Sequence, residues 1–223
     1  MNVQPVIILG TGGTCLDILE AMLAHNRSAG PDEPRFECRG FLDDDPALQG
    51  GEVAGLPVLG TLAEAGRFAD CSFVNGIGSP QSFRHKAAII AKTGLPPERF
   101  VTVRHPLADV SPSARLGPGC VVLAGAAVGA EAVLGCHVVL LQNAVVSHHC
   151  EVGDGCCLAS GAVLAGRVRV GQLAYIGANA SVRGGLHIGS GALVGMGSVV
   201  LTDVPPHVVV AGNPARQLRT FES

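Results

Sequence analysis

The sequence is poor in aromatic and charged side chains. Its 223 residues include no tryptophan and one tyrosine, and only 15% are Asp, Glu, Lys or Arg. The two lysines are Lys86 and Lys92, and the formal net charge at pH 7 is −3. Nucleic acids and anionic membranes attract clusters of basic residues, which this chain does not have. We therefore expect neither nucleic acid nor a membrane among its partners.

Long apolar segments are also missing. No stretch approaches about eighteen apolar residues without glycine or a polar residue, so we expect no membrane span. Met1–Gln4 carries no basic residue, and the apolar run Val6–Leu9 is too short for the core of a signal peptide. These features predict a cytoplasmic protein.

The cysteines show no metal-binding or disulfide pattern. There are eight of them, but no two have the C-x-x-C spacing typical of zinc sites. Three of them, Cys120, Cys150 and Cys156, stand where the repeat described next places a small residue, and there a thiol acts as a slightly larger alanine. We expect reduced thiols and no bound metal.

A six-residue period dominates the second half of the chain. From Leu107 to Thr202 the sequence divides into sixteen consecutive units without an insertion. The fourth residue of every unit is aliphatic, and the second is usually small. The fourth residues are Val110, Leu116, Val122, Val128, Leu134, Leu140, Val146, Val152, Leu158, Leu164, Val170, Ile176, Val182, Ile188, Val194 and Val200. A period of six is neither helical nor that of a plain strand, and fits a short strand followed by a corner.

This period predicts a solenoid. Three units would make one triangular coil, so that residues three units apart stack and the aliphatic residues form a continuous core. A β-sandwich is also rich in valine, alanine and glycine. The unbroken register of the sixteen units favours the solenoid.

The first hundred residues have a different pattern. A strand at Pro5–Leu9, a turn at Gly10–Gly13 and a helix at Thr14–His25 begin a βαβ unit, and Arg39–Asp44 is its second strand. Further elements complete a small doubly wound α/β domain: strands at Leu56–Leu59 and Cys71–Gly76, and a helix at Ser82–Lys92. The domain is too short for a full dinucleotide fold.

Two motifs in this domain predict a nucleotide site. The helix that follows Gly10–Gly13 directs free N–H groups at the turn, which suits a phosphate. Asp43 and Asp44 end the next strand, where a carboxylate can accept a ribose or base hydrogen bond. Cys15 stands where the full dinucleotide motif has its third glycine. A turn without a ligand and a solvated acidic turn are the alternatives, and the occurrence of both motifs on adjacent strand ends favours a nucleotide.

His148 is the candidate catalytic residue of the solenoid. It holds the sixth place of its unit, which is a corner, and its predicted stacking neighbours are the small residues Ala130 and Gly166. Histidine suits general-base catalysis because it titrates near neutral pH. No pattern of an activated serine or cysteine is present, so we expect direct attack on a thioester in a ternary complex, with backbone N–H groups stabilising the oxyanion. An exposed histidine without function is the alternative. His149, which follows, is either the partner that orients His148 or another surface residue.

The chain resembles the hexapeptide-repeat sugar acetyltransferases of the sialic acid O-acetyltransferase-like family, which includes N-acetyltransferases of UDP-4-amino sugars and of GDP-perosamine. The resemblance covers nearly the whole chain. It rests on Gly10-Thr11-Gly12-Gly13, Gly40-Phe41-Leu42-Asp43-Asp44, Val146-Ser147-His148-His149-Cys150 and Val209-Val210-Ala211-Gly212-Asn213-Pro214-Ala215-Arg216. It implies a small Rossmann-like α/β domain with a parallel sheet over residues 1–106. A left-handed parallel β-helix of hexapeptide repeats, closed by a C-terminal capping tail, would follow over residues 107–223.

The resemblance also implies a homotrimer with active sites between neighbouring coils. Acetyl-CoA, the acyl donor, would lie along the coil, and the N-terminal domain would hold a nucleotide-linked amino sugar. The general base would be His148. The nucleotide contacts would be Gly12, Gly13, Thr14, Asp43 and Asp44, and the acetyl-CoA contacts would lie near Gly166 and Ala178.

Three positions depart from the family's usual residues. His149 stands where an acid often follows the base. Cys157 stands where a histidine often approaches the acetyl carbonyl, so we place it among the acetyl-CoA contacts. Leu141 stands where an asparagine often binds the sugar, and the nearby Asn143 is our candidate instead.

The expected activity is transfer of an acetyl group from acetyl-CoA to the amino group of a nucleotide-linked amino sugar. O-acetylation of a sugar of the sialic acid type is the nearest alternative. A non-catalytic scaffold or nucleotide sensor is a second, since two expected groups are replaced. A zinc carbonic anhydrase on the same repeat is a third, but such enzymes lack the N-terminal domain.

Overall fold

The computed structural model describes residues 3–221, which form an α/β domain followed by a parallel β-helix. Five strands form the sheet of the first domain: β1 (Val3–Leu9), β2 (Arg35–Leu42), β3 (Glu52–Val53), β4 (Leu56–Gly60) and β5 (Ser72–Asn75). Their order is β3-β4-β2-β1-β5, and all pairs are parallel except the β3–β4 hairpin. The order places the ends of β1, β2 and β5 side by side at one edge of the sheet.

Two helices accompany this sheet. Helix α1 (Gly13–Ser28) buries one side against it, including Ile18 and Met22. Helix α2 (Lys86–Ala91) is shorter than the predicted helix at Ser82–Lys92. The amide of Ser82 donates to the Ser79 carbonyl in a turn, and Phe83–His85 follows as a 3-10 turn, so regular α-helix begins only at Lys86.

The strands of the coil follow the predicted units. Each is two residues long, and from β7 onwards each consists of the third and fourth residues of a unit. They are β6 (Val103–Arg104), β7 (Asp109–Val110), β8 (Arg115–Leu116), β9 (Val121–Val122), β10 (Ala127–Val128), β11 (Val133–Leu134), β12 (Val139–Leu140), β13 (Val145–Val146), β14 (Glu151–Val152), β15 (Cys157–Leu158), β16 (Val163–Leu164), β17 (Arg169–Val170), β18 (Tyr175–Ile176), β19 (Ser181–Val182), β20 (His187–Ile188), β21 (Leu193–Val194) and β22 (Val199–Val200).

Three parallel sheets form the three sides of the coil. We name one for the N-terminal domain that covers it and the other two for the character of their outward residues. The covered face contains β6, β9, β12, β15, β18 and β21; the apolar face β7, β10, β13, β16, β19 and β22; the charged face β8, β11, β14, β17 and β20. Within each sheet, residues eighteen positions apart pair directly, as Val145 does with Val163. This pairing confirms the predicted stacking, and the fold is the left-handed parallel β-helix of hexapeptide repeats.

The fourth residues of the units form the core of the coil. Fourteen of the sixteen are no more than 4% exposed, while Val110 and Leu116 at the N-terminal end are partly buried. Each residue buries its side chain only because the coils above and below cover it. Parallel pairing begins with β6, upstream of the first predicted unit, because Val103 pairs with Val121.

The remaining contacts close the covered face and the C-terminal end. Outward residues of the covered face, including Val121 and Val139, pack with Ile18 and Met22 of α1 in one apolar cluster. Strand β23 (Val208–Gly212) pairs in parallel with β21, and β24 (Ala215–Thr220) pairs antiparallel with β23. The tail thus extends the sheet of the covered face past the last coil, where an open strand edge would favour aggregation. Within residues 3–221, no helix is long and apolar enough to cross a membrane.

Candidate functional site

His148 lies at the corner between the apolar and charged faces. Its side chain is exposed, and the ring lies over Gly166 of the next coil. A Cβ added to Gly166 would lie 2.5 Å from Cε1 and Nε2 of His148, so any larger residue there would displace the ring. The structure therefore brings together His148 and Gly166, both of which the sequence marks as candidates.

His148 and His149 are in direct contact. Their Nδ1 atoms are 3.0 Å apart, and the rings are nearly perpendicular, at 86°. A hydrogen bond between two ring nitrogens requires one of them to carry the proton and the other to accept it. Because Nδ1 of His148 is used in this way, its Nε2 is the nitrogen left for a substrate.

His149 faces a cavity of about 580 Å³ on the charged face. The polar side chains that line it with His149 are Arg115, Glu131, Glu151, Arg169 and His187. Glu151 pairs with Arg169 at 3.6 Å. In residues 3–221, no group of three or more His, Cys, Asp or Glu side chains is arranged to hold a metal ion.

The backbone next to His148 offers a hydrogen-bond donor. The His148 carbonyl accepts from the Arg167 amide at 3.0 Å, which fixes the corner of the following coil. Within the described part of the chain, no backbone carbonyl accepts from the Gly166 amide. That N–H group is therefore available beside the His148 ring.

A second cavity, of about 310 Å³, lies at the edge of the α/β sheet where β1, β2 and β5 end. Gly12, Gly13, Thr14 and Asp43 line it, as the two sequence motifs predicted. Helix α1 begins at this cavity, so the free N–H groups and positive dipole end of its first turn face it, and no acidic residue in that turn offsets the positive end. Thr11 donates to Asp43 at 2.8 Å and holds that carboxylate at the rim.

One wall of this cavity was not predicted from the sequence. The loop from Gly76 to Ser82 after β5 contributes Gly76, Ile77, Gly78, Ser79 and Ser82. A signal was present, because the predicted strand at Cys71–Gly76 ends in a glycine and Gly78 follows it. A Cβ at Gly76 would overlap the Cys15 side chain. The close approach that a third glycine on the helix would allow is therefore provided here by Gly76, which directly follows the neighbouring strand β5.

Asp44 was predicted to contact the nucleotide, but its side chain does not line the cavity. It accepts a hydrogen bond from the Leu62 amide at 2.9 Å and pairs with Lys92 at 2.7 Å. Burial raises the pKa of Asp44, but the hydrogen bonds from Lys92 and Leu62 outweigh it and hold the pKa below its usual value. Its role in the structure is to join the end of β2 to α2, and we remove it from the candidate site.

Cys157 was predicted to contact acetyl-CoA, and its position does not fit that role. It lies on the covered face, is 3% exposed and belongs to the apolar cluster beneath α1. Burial raises the pKa of its thiol. The N-terminal domain covers this side chain, so we remove it from the candidate site as well.

Asn143 and Ala178 lie at another corner, between the covered and apolar faces. Asn143 has a left-handed φ of +59° and its side chain rests on Gly125, just as Asn179, at φ +55°, rests on Gly161. Asparagine tolerates this conformation better than most residues, which gives it a structural reason to be there. Asn143 begins the unit that His148 ends, so strand β13 separates the two within one protomer.

Comparison with known proteins identifies the repeat and the whole-chain architecture. Residues 131–166 match the family described as Bacterial transferase hexapeptide (six repeats). The acetyltransferase domain of PglB from Neisseria gonorrhoeae, in complex with acetyl coenzyme A, is 33% identical with a TM-score of 0.81; the alignment covers 98% of this chain and 100% of that one. PerB from Caulobacter crescentus, in complex with CoA and GDP-perosamine, is 32% identical with a TM-score of 0.82, covering 96% and 97%.

A third similar structure is WeeI from Acinetobacter baumannii AYE, which is 25% identical with a TM-score of 0.77 and covers 97% of this chain and 100% of that one. A search of curated protein sequences finds no match. All three similarities extend over both the α/β domain and the coil.

Proposed function

Since the chain belongs to the hexapeptide-repeat sugar acetyltransferases, we propose that it transfers an acetyl group from acetyl-CoA to the amino group of a nucleotide-linked amino sugar. The observation that carries the proposal is the placement of His148, exposed at a corner with Nε2 free and Gly166 beneath its ring. The relatives in complex with acetyl coenzyme A and with CoA and GDP-perosamine support the two substrate classes.

His148 acts as general base in this proposal. As the amine attacks the thioester carbonyl, Nε2 of His148 takes a proton from the nitrogen. The tetrahedral intermediate then expels the CoA thiolate, which receives the proton from Nε2. The imidazole returns to its starting state, and the only products are the amide and free CoA.

The Gly166 amide is the proposed oxyanion donor. Its N–H has no backbone acceptor in the described chain and lies next to the His148 ring. A fixed donor aimed at the developing negative charge stabilises the intermediate more than the substrate, and one such donor typically contributes about 10²–10³-fold in rate. Acetyl-CoA bound along the coil would present its carbonyl oxygen here.

The nucleotide is proposed to bind in the cavity at the end of the α/β sheet. Free N–H groups of Gly13 and Thr14 at the start of α1 suit a phosphate, and Asp43 is placed to accept a hydrogen bond from a ribose or base. This cavity favours a nucleotide-linked acceptor over a free sugar.

The active unit is proposed to be a homotrimer in which neighbouring coils share each site. Ala127, Val145, Val163 and Val199 point outward along the apolar face and remain partly exposed. A second copy packed on this face would bury them. It would also bring the corner of Asn143 and Ala178 of one copy towards His148 of the next, which strand β13 prevents within one protomer.

The proposal is tested by offering the purified protein acetyl-CoA with three acceptors. These are a GDP- or UDP-linked 4-amino sugar, the same amino sugar without the nucleotide, and sialic acid. CoA release and mass spectrometry of the product report turnover and the acetylated atom. We expect N-acetylation of the nucleotide-linked sugar, with much weaker turnover of the free sugars. Turnover of the free sugars alone, or of none of the three, would contradict the proposal.

A further inference from the structure

The contact between His148 and His149 restricts which ring nitrogen of His148 carries the proton, as well as the position of the ring. When two neutral imidazoles form a hydrogen bond between their Nδ1 atoms, one of them donates its Nδ1–H and the other accepts. The pair therefore has two arrangements. If His148 donates, its Nε2 is unprotonated and can act as a base. If His149 donates, Nε2 of His148 carries the proton and the ring cannot accept another at that nitrogen. Catalysis by His148 therefore depends on what selects the first arrangement.

Groups near Nε2 of His149 can favour the arrangement in which His148 donates. For His149 to accept at Nδ1, its own proton must lie on Nε2, and a carboxylate near Nε2 would hold it there. Glu131 precedes His149 by eighteen residues, so it occupies the same corner position one coil below, and both residues have a left-handed backbone, with φ of +58° and +57°. Adjacent coils are about 4.8 Å apart, which is within the reach of a glutamate side chain.

Of the two acids in this cavity, Glu131 is the one without a competing ion pair. Glu131 and Glu151 both line it with His149, but Glu151 pairs with Arg169. Among residues 3–221, no basic side chain, His149 included, forms a salt bridge with the Glu131 carboxylate, so Glu131 must turn its side chain towards His149 to bind it. The remaining charged or titratable groups around His149 are Arg115, Arg167, Arg169 and His187.

We propose that Glu131 and His149 are positioning residues that hold His148 in its base-competent form. In the proposed arrangement the Glu131 side chain turns to accept from Nε2–H of His149, and Nδ1 of His149 accepts from Nδ1–H of His148. Nε2 of His148 is left free for the substrate amine. The carboxylate thus acts from the neighbouring coil through an inserted imidazole, instead of directly on the base. This inference rests on the proposed function, since it assigns roles around the same base.

The first test measures kcat and KM for variants of the two positioning residues. His149→Ala should lower kcat by about 10–100-fold, as loss of an orienting partner does, with KM unchanged. Glu131→Gln should lower kcat by about threefold to tenfold, an effect typical of coupled neighbours. Glu151→Gln is the matched control, because it removes the other carboxylate of the cavity, and it should stay within about twofold of the parent.

A further variant tests whether a carboxylate can act on His148 directly, without the imidazole of His149. In His149→Glu a carboxylate follows the base directly and accepts from Nδ1–H of His148, so activity should return to within about threefold of the parent and the acid limb of the pH–rate profile should move to higher pH. Adding Glu131→Gln to His149→Glu should have no further effect. An equal loss from Glu131→Gln in both backgrounds would overturn the role of Glu131.

A second readout does not depend on turnover. Nitrogen NMR of the ¹⁵N-histidine-labelled protein reports which ring nitrogen of His148 carries the proton, with His148→Asn used for assignment. We expect Nδ1–H on His148 in the parent and a partial shift to Nε2–H in Glu131→Gln. Finding Nε2–H on His148 in the parent would overturn the inference even if acetyl transfer is observed. Failure to acetylate any sugar, with Nδ1–H present, would instead overturn the proposed function.

Discussion

The apolar and charged faces of the coil have the same backbone and equivalent inward side chains, yet they present different chemistry to the outside. Inward residues such as Leu164 on the apolar face and Ile188 on the charged face are equally buried. Outward, the apolar face shows mainly alanine and valine, whereas Arg115, Glu151 and Arg169 line the charged face. The fourth residue of a unit therefore specifies the fold, and the third and sixth residues are free to specify function.

This comparison also explains the position of His148. The corner that it occupies joins the face proposed to pack on a neighbouring copy to the face that stays open to solvent. A base at this corner can reach a substrate held between copies, while its partner His149 remains in the solvent-facing cavity. The first prediction tests this difference between the two faces.

The largest effect on assembly is expected from placing a carboxylate on the apolar face. Val163→Asp would bury an unpaired charge between copies, so we expect the trimer to dissociate and activity to fall by about 10²-fold or more, because the shared sites lose their geometry. Val133→Asp makes the same change at an equivalent position of the charged face and should leave the mass of the particle unchanged. Light scattering after size exclusion measures both. If both variants dissociate to the same extent, or if neither dissociates, the proposed difference between the two faces is contradicted.

The sequence predicts the fold of the coil more completely than the surroundings of its outward residues. Each strand of the coil follows from its own unit, because burial of the fourth residue repeats at a fixed period. The environment of a third residue does not follow in this way. The expected contact of Cys157 with acetyl-CoA does not fit the structure, because the N-terminal domain, which is far away in the sequence, buries this side chain.

The α/β domain shows the same limit. Gly12–Thr14 and Asp43, which the sequence motifs marked, line one cavity because adjacent parallel strands end at the same edge. Their contact with a nucleotide stays a prediction. Asp44 was misplaced because its partner Lys92 lies 48 residues away. No local pattern distinguishes two successive aspartates of which one points into a cavity and the other into an ion pair.

A smaller effect is expected at a second corner. His137 and His149 both hold the first place of a unit with left-handed φ, but Phe100 packs against His137 with ring centroids 4.6 Å apart. Burial, followed by the nearby charge of Lys86, lowers the pKa of His137 from 6.5 to about 4. The unfolded chain thus binds this proton more readily, so the stability that neutral His137 contributes is present above about pH 6.5 and is lost as the pH falls towards 4.

Replacing this histidine should reduce the acid sensitivity of the fold. His137→Asn keeps a residue that tolerates the left-handed corner, as Asn143 and Asn179 do. We expect its melting temperature to fall less steeply between about pH 6.5 and 4 than that of the parent. His149→Asn, at the exposed corner, should retain the parent's slope. Parallel slopes for all three proteins would show that burial of His137 does not contribute to acid unfolding.

The central claim is that His148 is the base for acetyl transfer, and the most direct test is kcat of His148→Ala with acetyl-CoA and a nucleotide-linked amino sugar. We predict a fall of about 10²–10⁴-fold, with the Kd for acetyl-CoA unchanged, because the alanine removes the proton acceptor and leaves the coil intact. A kcat equal to that of the parent would contradict the assignment of His148 and the mechanism built on it.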